Sequence, residues 1–161
     1  MSLEDAEELL KCYNDSEARR FFNDDNFDFG YGNVDTIEKM QCNIKLWINS
    51  YYSKNFVRFS IIDKSTDKAV GTVEMLGGKH GILRIDIMGD YECENCLSEL
   101  FETADRFYND FNCDCIVSKA IPEATERIKA LTKCGYSLYT QSDTWNRKYY
   151  YMKTLSRRKV K

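Results

Sequence analysis

The sequence predicts an α/β domain with a mixed, mostly antiparallel sheet flanked by helices on both faces, and three observations carry that expectation. Residues 56–62, 69–76 and 82–88 are rich in alternating apolar and polar positions with turn residues between them, the pattern of a three-stranded meander. The stretch 82–109 then reads strand, loop and helix, with Leu97, Leu100, Phe101, Ala104, Phe107 and Tyr108 on one helical stripe. A further strand (115–121), a helix (123–134) and two closing strands (136–141 and 145–155) complete the order.

Each element has a local cause. Ser2 and Asp5 form a capping box that opens a helix through residue 13. Asp15 or Ser16 caps a short helical piece over 17–22, and residues 23–33 read as a loop rich in Asp, Asn and aromatics. Asp35 or Thr36 starts a longer helix to residue 53, with Ile37, Met40, Ile44, Trp47, Ile48 and Tyr51 on its stripe. A turn at 65–68 and a Gly-rich loop at 77–81 separate the meander strands. Pro122 suits a helix start and Gly135 its left-handed stop, while Ser142 and Asp143 join the last two strands.

The 161 residues are read as one domain over 1–155 with a basic tail at 156–161. That tail holds four of the basic residues, so a net charge of −3 leaves −7 on the rest. This argues against nucleic acid as the main partner. No apolar run approaches the ~20 residues that span a bilayer, and no signal peptide is visible. Seven scattered cysteines suit reduced thiols and a cytoplasmic location.

Pairing Leu76 with Ile82 sets Glu74 opposite Arg84 and Thr72 opposite Asp86, all on one face of the sheet. One register of the preceding strand adds Arg58 and Ser60 to that face. Two readings follow: a salt-bridge ladder facing solvent or a loosely packed helix, or the wall of a polar pocket in which Asp86 or Glu74 takes a proton. Cys93-x-x-Cys96 and Cys113-x-Cys115 invite a zinc reading. The thirteen-residue helix between them rises about 20 Å, so the two pairs sit at opposite ends and no metal site is expected. The carboxylates around Cys96 work against a reactive thiolate there, and His80 reads as a solvated loop residue.

The loop before residue 97 leads into a helix N-terminus, whose amides and partial charge suit an anion. Yet no glycine occurs between Gly89 and Gly135, and the loop carries Asp90, Glu92 and Glu94.

Taken together these residues resemble the GNAT superfamily of N-acetyltransferases, nearest the branch of ribosomal-protein alanine acetyltransferases. The resemblance rests on Asn14-Asp15-Ser16-Glu17, on Ala69-Val70-Gly71-Thr72-Val73-Glu74, on Tyr91 to Leu100, and on Pro122-Glu123-Ala124-Thr125-Glu126-Arg127-Ile128 through Cys134-Gly135-Tyr136. It implies acetyl-CoA as cofactor and direct attack of a deprotonated amine on its thioester. Backbone at Ile87 and Met88 would then hold the pantetheine, and the N–H groups of Asn95, Cys96, Leu97 and Ser98 the pyrophosphate. Asp86 or Glu74 becomes the general-base candidate and Tyr136 the acid candidate. The acceptor implied is a small-molecule or peptide amine.

Departures from the family pattern fall at the cofactor site. The glycine-bearing Gln/Arg loop reads Glu92-Cys93-Glu94-Asn95-Cys96-Leu97, the pantetheine-contacting Asn is Ala124, the following Ser is Arg127, and a tyrosine acid falls at Leu131. The family's first strand is missing, which leaves 56–62 as a sheet edge and favours a homodimer. Two function classes therefore stand: an acetyl-CoA-dependent N-acetyltransferase, and a GNAT-fold binding or interaction module that does not use acetyl-CoA. In the first, each uncompensated carboxylate about 6 Å from a phosphate costs roughly 0.7 kcal/mol in water and about 3 at an effective dielectric near 20.

Overall fold

The computed structural model describes residues 1–22, 34–108, 113–140 and 148–155. The expected loop at 23–33, the junction at Ser142 and Asp143 and the basic tail lie outside the described residues. The described strands form one sheet in the order β1-β2-β3-β4-β6-β5, with β1 (Val57–Asp63) at its edge as expected. The others are β2 (Lys68–Leu76), β3 (His80–Ile87), β4 (Cys115–Lys119), β5 (Ser137–Leu138) and β6 (Tyr150–Thr154). β1–β2, β4–β6 and β5–β6 pair antiparallel, whereas β3 and β4 run parallel. The parallel ladder covers only His80–Ile82 against Cys115–Val117, and β3 runs on to Ile87 beyond it.

The chain packs as two compact units: Met1–Met75 with Arg84–Tyr91, and Leu76–Leu83 with Glu92–Lys161. In the first, the Ser2–Asp5 capping box forms around a single 3₁₀ turn, and α1 (Ala6–Asn14) follows. Asp15 caps α2 (Ser16–Arg19) by accepting from the N–H groups of Glu17 and Ala18, and Thr36 caps α3 (Ile37–Tyr52). Leu9, Cys12 and Tyr13 of α1 pack with Met40, Ile44 and Trp47 of α3 into one core. The ends of the α3 stripe, Ile37 and Tyr51, stay exposed.

The second unit holds α4 (Glu94–Tyr108) and α5 (Thr125–Lys133). Leu97, Phe101, Ala104 and Tyr108 bury one face of α4, as the stripe predicts. Helix α4 nonetheless begins three residues earlier than its pattern suggests. A 3₁₀ turn at Gly89–Tyr91, closed by the Tyr91 N–H on the Met88 carbonyl, uses up much of the expected loop. Strand β3 also starts early, at His80, so the histidine belongs to the sheet rather than the loop. Gly81 then lies in β3 because the Tyr108 ring fills the space of its missing side chain: a Cβ there would meet the ring at 2.5 Å. Pro122 sits in a turn and α5 starts at Thr125, while Gly135 ends that helix with φ +85° as expected.

Candidate functional site

In the first unit the alternation of β1, β2 and β3 places four charged side chains on one face. The Met88 N–H donates to the Val70 carbonyl at 2.9 Å, the register that sets Thr72 opposite Asp86. Arg58 faces Glu74 across β1 and β2 and donates to it through Nε at 2.9 Å and Nη2 at 2.5 Å. Arg84 Nε donates to Asp86 Oδ1 at 2.9 Å. The second oxygen of Asp86 accepts from the Tyr13 hydroxyl at 3.1 Å and Arg58 Nη1 at 3.4 Å.

This face meets neither solvent nor a loose helix, which corrects the ladder expectation. Tyr13 of α1 and Trp47 of α3 cover it, the indole ring lying 4.6 Å from the Arg58 guanidinium. Asp86 has no exposed surface, and Glu74, Arg58 and Arg84 are also buried. Two guanidiniums engage Asp86, and one holds Glu74 in a forked contact. Both carboxylates are thus buried with their oxygens committed to guanidinium and hydroxyl donors. The geometry suits a charge-balanced core rather than a general base.

Asp15 links the α1–α2 corner to the end of β3. Its Oδ2 accepts the Gly89 N–H at 2.8 Å while Oδ1 caps α2. The Gly89 N–H, with the two capping amides, holds its carboxyl below the usual range. Met88 donates its N–H to β2 and accepts from Tyr91 with its carbonyl, so it cannot offer that N–H to a ligand without opening the ladder. Successive strand residues face opposite edges, so the backbone groups of Ile87 point away from β2.

The second unit contains the N-terminus of α4. The Leu97 N–H donates to the Cys93 carbonyl at 3.0 Å, which makes Cys93 the capping residue and puts Glu94, Asn95 and Cys96 in the first turn. Leu97 thus spends its N–H inside the helix, and Ser98 lies one residue further in. Leu97 is buried.

Two of the loop's carboxylates, Glu92 and Glu94, are paired with cations of α5. Arg127 grips Glu92 with two parallel bonds, Nε to Oε1 at 2.7 Å and Nη2 to Oε2 at 2.6 Å, and is only 2% exposed. Lys133 lies 3.2 Å from Glu94, and Lys129 lies 2.5 Å from Glu126. Glu126 also accepts the Glu94 N–H at 3.3 Å, so a carboxylate oxygen already occupies one first-turn amide. Glu92 and Arg127 are separated by 35 positions and meet only where α5 packs on α4. Pairing across 35 positions of chain is not visible to local pattern reading.

Tyr136 is buried, stacks at 5.5 Å on Phe101 and directs its hydroxyl to Asp105 at 3.4 Å. Burial, and then Asp105, push its phenol well above the usual range. That is the wrong direction for an acid poised near neutrality. Lys153 forms a close ion pair with the same Asp105, and Leu131 is buried. Among the described residues no group of three or more His, Cys, Asp or Glu side chains is placed to hold a metal ion. No described helix is long and apolar enough to cross a membrane.

No protein-family model and no curated protein matches the chain. Solved structures do. The ribosomal-protein-S5-alanine acetyltransferase of Vibrio fischeri superimposes with a TM-score of 0.72 at 14% identity, over 96% of this chain and 90% of that one. A GNAT-family acetyltransferase of Bacillus anthracis gives 0.69 at 14%, over 96% and 91%. The microcin C7 self-immunity acetyltransferase, solved with acetyl-CoA and AMP, gives 0.70 at 16%, over 95% and 88%. At these identities the likeness establishes the fold alone: this chain shares the fold of these acetyltransferases.

Proposed function

We propose that this protein is an N-acetyltransferase that moves the acetyl group of acetyl-CoA to a small-molecule or peptide amine. The observation that carries the reading is the neutralised α4 N-terminus. Each of the three carboxylates there, Glu92, Glu94 and Glu126, has its own cation at 2.6, 3.2 and 2.5 Å. The charge penalty expected from the sequence is thus offset within the same unit. The carboxylate on the Glu94 amide supports the fit as well, since it marks that helix end as one that accepts an oxyanion.

When bound, acetyl-CoA supplies an acyl group activated as a thioester. The first-turn amides Glu94, Asn95 and Cys96 would take its diphosphate, with Glu126 withdrawing from Glu94. The Ile87 backbone would offer strand-like bonds to the pantetheine. Asp86 and Glu74 position β2 and β3 through their arginines and do not take the amine's proton. Tyr136 keeps its own proton and orders α4 against the strand that follows α5.

One observation favours the alternative of a binding module without acetyl-CoA: the residues expected to move protons are committed to buried partners. Calorimetric titration with acetyl-CoA separates the two. Heat of binding, followed by mass-spectrometric detection of an acetylated amine from a panel of polyamines and peptide N-termini, supports the enzyme. No heat at millimolar cofactor eliminates it. The scattered spacing of the seven cysteines supports a reducing compartment, the cytoplasm. The edge position of β1 supports a homodimer, which light scattering tests.

A further inference from the structure

Cys12, Cys113, Cys115 and Cys134 are buried, which leaves Cys42, Cys93 and Cys96 with exposed surface. Cys42 stands on α3 in the first unit, while the other two share one turn. The Cys93 carbonyl accepts the first bond of α4, and Cys96 is the third residue of that helix. Three residues of helical rise set their Cα atoms roughly 5–6 Å apart, inside the window of about 4.4–6.8 Å that a disulfide requires. The carboxylates that the sequence set against a reactive thiol are held elsewhere, Glu92 by Arg127 and Glu94 by Lys133.

We propose that Cys93 and Cys96 form a reversible dithiol–disulfide pair that exchanges with low-molecular-weight disulfides of the glutathione type. One cysteine, as thiolate, attacks a sulfur of the small disulfide. That S–S bond breaks, a mixed disulfide forms and one small thiol leaves. The second cysteine, as thiolate, attacks the protein-side sulfur of the mixed disulfide, closing the Cys93–Cys96 bond and releasing the second small thiol. The two cysteine protons end on the two released thiols. The protein loses two electrons and the small disulfide gains them. The closed bond pins the first turn of α4.

The test equilibrates the full chain in mixtures of reduced and oxidised glutathione, quenches with acid and maps thiols by alkylation and peptide mass spectrometry. With free thiol at 0.1 mM and an effective concentration on the order of 1 mM for the neighbouring cysteine, the intrachain disulfide should exceed the mixed disulfide about tenfold. Cys93→Ser and Cys96→Ser should each halt at a glutathione adduct on the remaining cysteine. Cys42→Ser should leave the intrachain bond unchanged. Mixed disulfides on both cysteines of the unaltered protein, a bond mapped to another pair, or thiols that stay reduced across the glutathione range would each overturn the proposal.

Discussion

Replacing either member of the Glu92–Arg127 pair should produce stability losses of one sign and cofactor effects of opposite sign. Arg127 is 2% exposed and the Glu92 side chain 7%, so removing one leaves a buried charge without its partner. Such a break costs about 3–5 kcal/mol. Arg127→Met and Glu92→Gln should therefore each lower the urea midpoint, by about 1.5–2.5 M at a slope near 2 kcal/mol per M. Combining Arg127→Met with Glu92→Gln removes the stranded charge as well as the bond, and should recover most of the loss. A coupling of about 3 kcal/mol is expected from the double-mutant cycle. Acetyl-CoA titration of the same variants reads the electrostatics separately. A unit charge about 6 Å from a phosphate is worth about 3 kcal/mol at an effective dielectric near 20, or about 100-fold in affinity. Glu92→Gln should tighten binding by up to that factor and Arg127→Met should weaken it. A coupling below about 1 kcal/mol, the range of exposed pairs, would refute the burial reasoning. Affinity that falls in both variants would refute the charge reasoning.

Gly71→Ala should cost about 3 kcal/mol or more, because its Cβ would lie 2.3 Å from the Asp86 carbonyl oxygen and 2.7 Å from the Ile87 Cα, backbone that cannot turn aside. A thermal-melt shift of under one degree would contradict it. Acid should destabilise the first unit through Asp15, lowered mainly by the Gly89 N–H, and Asp63, lowered to about 2 chiefly by the Ser65 N–H and then the Tyr91 hydroxyl. Both folded values lie below the unfolded ones, so their stabilisation is present above about pH 4 and fades as pH falls toward 2. Acid titration by circular dichroism should show Asp15→Asn losing part of that dependence. Glu126→Ala should tighten acetyl-CoA about threefold, the effect of one exposed charge near 6 Å in water, by vacating the Glu94 amide. Unchanged or weaker binding would show that Glu126 does not compete there.

The sequence by itself determined the element order, the cap at Ser2, the left-handed stop at Gly135 and the buried stripe of α4, and it narrowed two further caps to Asp15 or Ser16 and Asp35 or Thr36, of which the structure uses Asp15 and Thr36. These features depend on residues a few positions apart, where backbone sterics and side-chain periodicity act. It also set Arg58, Glu74, Arg84 and Asp86 on one face, since strand alternation needs only the register. The tertiary structure decided what that face meets: Tyr13 and Trp47 close over it and turn candidate bases into partners of two arginines. It likewise decided that Glu92 of the acidic loop is paired, because Arg127 reaches it only once α4 and α5 lie side by side. Coulomb energy depends on distance in space, and neither pairing has a signature along the chain until the fold brings its members within about 3.5 Å.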